Sequence, residues 1–126
     1  MQTTRHGLAI GIERTGEQFF LTMKIQGKLT HEDYTVITPM LDAALAQVKK
    51  PSINAFIDAT EVDGWEARAA WDDFKLGLSH GNEFRKIAIC GNNDWLESLT
   101  RVANWFVSGD IQYFESTREA LIWLHM

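Results

Sequence analysis

The side chains best suited to chemistry are few in this chain and poorly spaced for it. Cys90 is the single cysteine; it closes an apolar run, Lys86 to Cys90, with no histidine beside it, and reads as a small core hydrophobe rather than a nucleophile. Ser79 and His80 are sequence neighbours at the end of a helical stretch, which does not aim a hydroxyl at an imidazole, so no catalytic triad follows. His31-Glu32-Asp33 has metal-ligand types, but no second histidine stands three or four residues away, and no metal site is expected. Asp72 and Asp73 leave a helix about 100° apart, too divergent for paired acid–base work. Cys90-Gly91-Asn92-Asn93-Asp94 sets a glycine and two amides between a strand and a helix start, a geometry that holds anions. It lacks the glycine-rich fingerprint and the lysine of a phosphate cradle, so a turn with an N-cap is the reading. No catalytic residue, metal or cofactor is expected.

The elements that position these residues are legible from period and punctuation. Leu8 to Glu13 and Phe19 to Gln26 alternate as strands around a turn near Thr15-Gly16-Glu17, an opening hairpin. A helix follows from about Thr30 to Lys49, stopped by Pro51, then a strand from Ser52 to Asp58. Helices over about 66–80 and 94–107 flank a strand from Lys86 to Cys90. Ile111 to Phe114 is a last strand and Thr117 to His125 a last helix. Strands alternating with helices predict right-handed crossovers and an α/β fold with a mixed, mostly parallel sheet of four to five strands, an N-terminal hairpin and four helices. The helix starts share one device: Thr30 precedes Asp33, Asp63 precedes Glu66, Asp94 precedes Glu97 and Ser116 precedes Glu119, each by three residues. The oxygen at the N-cap accepts from free amides while the acid three residues on reaches back. Core stripes follow the helical period: Tyr34, Ile37, Leu41, Ala44, Leu45 and Val48; then Ala67, Ala70, Trp71, Phe74 and Leu78; then Trp95, Leu99, Val102 and Phe106.

At 126 residues the chain is one domain, 1–126, large enough to bury a core without metals or disulfides. A net charge of -5, with basic residues scattered, excludes nucleic acid as a partner and weakens any electrostatic hold on anionic lipid. No apolar run reaches the length of a membrane span, the N-terminus lacks a signal-like apolar core, and one cysteine suits a reducing compartment. A cytoplasmic protein is expected, with peripheral contact at the inner membrane face as one option.

The aromatic content is what an ordinary core explains least. Of five tryptophans, Trp65, Trp71, Trp95 and Trp105 lie in or beside the second and third helices. Trp105 falls off its helix's apolar stripe, Leu76 sits on the polar side of its own, and Val36 and Met40 stray from the core face of the first helix. Gly64, Gly77, Gly81 and Gly91 punctuate the same region, so the second helix could move on its ends. Grouped on adjacent helices, such residues would form a contact patch.

Gly27-Lys28-Leu29-Thr30, Asp33-Tyr34, Pro39, Asp58, Gly64-Trp65, Ala70-Trp71-Asp72-Asp73, Gly77, His80, Arg85-Lys86-Ile87-Ala88, Trp95 and Tyr113-Phe114 together resemble a SpoIIAA-like protein of the STAS superfamily, over nearly the whole chain. The resemblance implies a sheet backed by helices on one side, and relatives that include bacterial anti-sigma-factor antagonists; the fold is also similar to lipid-carrying CRAL-TRIO (Sec14-like) domains. The antagonists are switched by phosphorylation of a Ser or Thr after the strand that ends here at Asp58. No Ser or Thr occurs between Thr60 and Ser79, and phosphate on Thr60 would meet Glu61 and Asp63. The switch is expected to be absent.

Two functions are therefore in view. The favoured one is a non-enzymatic module that binds an apolar small molecule or lipid, or associates with a membrane surface. It would use Trp65, Trp71, Phe74, Leu76, Leu78, Trp95 and Trp105 as lining or contact residues, with Lys28, His31, Asp58 and Asn92 as a polar rim where parallel strands end. The alternative is a protein-interaction regulator of the antagonist type, anchored around Asp58 to Trp65. An enzyme built on Lys28, His31 and Asp58 is the least favoured, and a homodimer is compatible with each.

Overall fold

Gly16, at φ 66°, turns the chain between β1 (Gly7–Thr15) and β2 (Gln18–Leu29). The left-handed backbone there costs glycine nothing, and so the sequence closes its first hairpin at this residue. The computed structural model describes residues 7–65, 83–91 and 109–126. β1 and β2 pair antiparallel without interruption, from Gly7 opposite Gln26 to Thr15 opposite Gln18.

Helix α1 (His31–Leu45) follows β2. Thr30 and Asp33 close the expected capping box, the Thr30 amide donating to Asp33 Oδ2 at 2.9 Å. The helix ends short of Lys49, and it carries Pro39 in its interior, which has no N–H to give the Thr35 carbonyl. Its buried apolar side chains, Tyr34, Ile37, Leu41 and Leu45, all belong to the stripe the period predicted, and the cap residue Asp33 is buried beside them.

β3 (Ser52–Trp65), β4 (Phe84–Cys90) and β5 (Asp110–Phe114) then add in parallel, giving one five-stranded mixed sheet in the order β1-β2-β3-β4-β5. Alternate residues of β3 face opposite sides. Ile53 and Ala55 join the core under α1 with Phe19, Leu21, Leu41, Leu45, Phe84 and Ile87, and Ala59 joins Ile25, Tyr34 and Ile37. Phe56 instead packs with Ala88, Phe20 and Phe114 against helix α2 (Thr117–Leu124). Burial from both sides explains why β3 reads as a nearly continuous apolar run. Ile53 is fully buried, which contributes about 1.5–3 kcal/mol relative to exposure.

Three expectations are corrected. β2 and β3 do not stop at Gln26 and Asp58; they stay paired to Leu29 and Trp65. Two register shifts allow it. Lys24 and Gln26 face Asp58 and Glu61, so β3 carries an extra residue, and a second shift falls between Gly27 and Lys28, where Gly27 adopts φ 82°. Asp63 consequently sits inside β3 rather than at a helix N-cap. Helices do not back the sheet on one side only: α1 covers one face and α2 the other, because Ala88 and Phe56 offer α2 a second apolar seat. The expected helices over about 66–80 and 94–107 lie outside the described residues.

Candidate functional site

The parallel strands carry polar groups on the α2 face of the sheet. Lys24 of β2 stands opposite Asp58 of β3, and Asp58 stands opposite Cys90 of β4. Because β3 bulges between Asp58 and Glu61, both acids come to the same neighbourhood as Lys24. Lys24 Nζ lies 2.9 Å from Glu61 Oε2, and Gln26 Nε2 donates to Glu61 Oε1 at 3.2 Å. Inside the bulge the Thr60 amide and hydroxyl both donate to Asp58 Oδ1, at 3.1 Å and 2.7 Å.

These contacts decide the chemistry. The hydrogen bond from Lys24, seconded by that from Gln26, holds the Glu61 carboxyl below its ordinary range. The same bond to Glu61, with the charges of Glu61 and Asp58, raises the Lys24 ammonium above its own. A lysine held protonated and a glutamate held ionised are ill suited to exchange protons near neutral pH. Asp58 spends one oxygen on the turn that shapes the bulge. The cluster builds a polar surface; it does not assemble an acid–base pair.

The residues expected to rim a site come together only in part. Lys28 lies near the end of β2, opposite Gly64 and exposed, and His31 begins α1. Asp58 belongs to the interior of β3, next to Lys24. Asn92 lies outside the described residues, as do Trp71, Phe74, Leu76, Leu78, Trp95 and Trp105. Trp65 ends β3 opposite Leu29. Cys90 is buried, its Sγ 3.6 Å from Thr117 Oγ1. Among the described residues no group of three or more His, Cys, Asp or Glu is placed to hold a metal, and no helix is long and apolar enough to cross a membrane.

Lys24, Gln26 and Glu61 were not singled out in the sequence. The alternation of β2 does set Lys24 and Gln26 on the face away from Ile25, but only the bulge brings Glu61 to them. Lys86 and Trp123 were missed as well. Lys86 Nζ donates to the Trp123 carbonyl at 2.9 Å and to the Met126 carbonyl at 3.3 Å, and lies 4.9 Å from the Trp123 ring centroid. Trp123 in turn tilts against Phe114, ring centroids 5.6 Å apart. Asn54 Nδ2 adds a bond to the Leu124 carbonyl at 3.3 Å. Polar groups on β3 and β4 thus grip the last turn of α2.

A mixed sheet of this order, with a parallel run continuing from an antiparallel hairpin and a helix on each face, defines a small α/β domain in its described part. The SpoIIAA-like family matches residues 20–125; the chain belongs to that family. It is similar to a solved structure, an uncharacterized DUF3478-family protein with a SpoIIAA-like fold from Shewanella loihica PV-4. Identity is 55%, coverage 98% of both chains, and the TM-score 0.81. Comparison with curated proteins gives no match.

Proposed function

We propose that this protein is a non-enzymatic module that binds an apolar small molecule or lipid, presented in solution or at a membrane surface. The observation that carries the reading is the α1 face of the sheet. Its apolar surface extends past the fully buried core through Ile57, Ile89, Ile111 and Tyr113, all partly buried, toward β5. The chain that joins β3 to β4 and β4 to β5 holds Trp71, Phe74, Leu78, Trp95 and Trp105. Connections between parallel neighbours are right-handed, and α1 already makes the β2-to-β3 connection on this face. A ligand held between these aromatic residues and Ile89, Ile111 and Tyr113 would be enclosed by apolar groups. Pockets of that lining take apolar ligands with few polar anchors.

Titration with long-chain fatty acids and with liposomes, read by tryptophan fluorescence, tests the reading. A saturable change that weakens in Trp71→Phe and Trp95→Phe is the expected result. Fluorescence that stays flat with both ligands removes its support.

A protein-interaction regulator has one observation of its own. Val36 and Met40 are one helical turn apart on α1 and are 50% and 39% exposed, flanking exposed Pro39. Together with the Asp58-to-Trp65 strand they would offer a partner apolar anchors. Pull-down with Trp65→Ala and Met40→Asp separates the readings: a stoichiometric partner lost in either variant favours the regulator.

A further inference from the structure

β1 is an open edge. Among the described residues its only strand neighbour is β2, and the two edges of the sheet differ. β5 is five residues long and starts with Asp110. β1 is nine residues long, pairs with β2 without a bulge, and has no proline or lysine. Alternate residues of β1 turn their N–H and C=O groups toward β2 and the others turn them outward. Long, flat apolar edges of this kind pair with another strand unless something blocks them. The charged residues of β1, Glu13 and Arg14, stand together at its far end past Ile12, and Arg14 is folded back. Its Nε donates to the Gly16 carbonyl at 2.7 Å, and its guanidinium lies 5.8 Å from the Phe19 ring centroid.

The side chains specify which strand fits. Leu8, Ile10 and Ile12 share the α1 face and are partly buried against the cores there, while Ala9 and Gly11 between them are small. The large–small–large–small–large order is symmetric about Ile10. We infer that β1 joins a second copy of this chain antiparallel about a twofold axis at Ile10, so that one sheet runs through both protomers. Leu8 then faces the partner's Ile12, Ile10 faces its own copy, and Ala9 faces Gly11. Glu13 meets Gly7, so no like charges oppose. The apolar pairs continue the cores of the two protomers across the axis. Such a contact is isologous, the symmetry of most homodimers.

Cysteine cross-linking reads both the contact and its register, since opposed residues on antiparallel strands have Cα atoms about 4.5–5.5 Å apart, within disulfide reach. Folded Ile10→Cys should form a covalent dimer on mild oxidation, with the native Cys90 buried and silent. Leu8→Cys and Ile12→Cys should each stay uncross-linked alone and cross-link when mixed. For the unmodified chain, exchange of the outward β1 amides should slow at least tenfold between dilute and concentrated protein. Were the substituted chains to misfold, that exchange would decide alone. Sedimentation as a monomer at every concentration, or β1 amides whose exchange ignores concentration, overturns the inference. So does a dimer in which folded Ile10→Cys does not cross-link.

Discussion

The Thr60 hydroxyl donates to Asp58 Oδ1 at 2.7 Å, and the Thr60 amide shares that acceptor at 3.1 Å. Asp58 and Thr60 thereby shape the bulge that keeps β3 paired with β2 as far as Trp65. The hydroxyl is already engaged with one carboxylate, and Glu61 follows it directly. Thr60→Val should lower stability by about 0.5–1.5 kcal/mol, the worth of one hydrogen bond. Thr60→Glu should cost more, because it adds a negative charge between Asp58 and Glu61. Urea denaturation of the two variants checks the order; a phosphomimetic as stable as the parent would show that the bulge accommodates charge.

Lys24 and Glu61 make stability depend on pH at both ends. The folded-state carboxyl of Glu61 is depressed, so its contribution is complete above the unfolded value and is lost as pH falls through the folded one. The folded-state ammonium of Lys24 is raised, so its share is complete below the unfolded value and is lost as pH climbs through the folded one. The plateau lies between the carboxylate and lysine ranges. Titration followed by NMR should find the Glu61 carboxyl below its ordinary range, moving back up in Lys24→Met and partly in high salt, as expected for an exposed pair. A Glu61 titration unchanged by Lys24→Met would contradict the pairing.

Lys86 should hold α2 to the sheet. Lys86→Met removes the charge-assisted bonds to the Trp123 and Met126 carbonyls and the cation beneath the indole. A loss of about 1–2 kcal/mol is expected, with faster amide exchange in the last turn of α2. An exchange pattern identical to the parent would mean that Asn54 and the apolar seat suffice.

Gly109 leads into β5 where no side chain fits. A Cβ there would run into the backbone carbonyls of Phe84 and Arg85, next to the register shift at the start of β4. Both obstacles are backbone and cannot swing aside, so Gly109→Ala should cost about 1–3 kcal/mol. Thermal unfolding measures it; an unchanged midpoint would mean that the Phe84–Arg85 backbone can shift freely.

The hairpin, the parallel order and the two caps were legible because each rests on local chemistry: Gly16 at the turn, Thr30 with Asp33, and Ser116, whose Oγ accepts from the Glu119 amide at 3.4 Å. The core of α1 was legible from its period. What escaped depends on contacts across strands. Nothing local to Glu61 or Asp63 says that β3 continues past Asp58; that follows from two register shifts against β2. The ion pair of Lys24 with Glu61 therefore could not be read from either residue alone. The seat of α2 was hidden for a similar reason. Ala88 and Cys90 look like any core strand, and only the pairing of β3, β4 and β5 shows that their face is the one opposite α1. The aromatic residues of 66–80 and 94–107 stand as sequence expectations, and the proposed function depends on them.

The most direct test of that function is native mass spectrometry of freshly purified protein, repeated after organic extraction. The account predicts a bound mass that disappears on extraction and is identified as a lipid or another apolar molecule. Protein of the chain mass alone, with no extractable apolar compound and no uptake of added fatty acid, would contradict it.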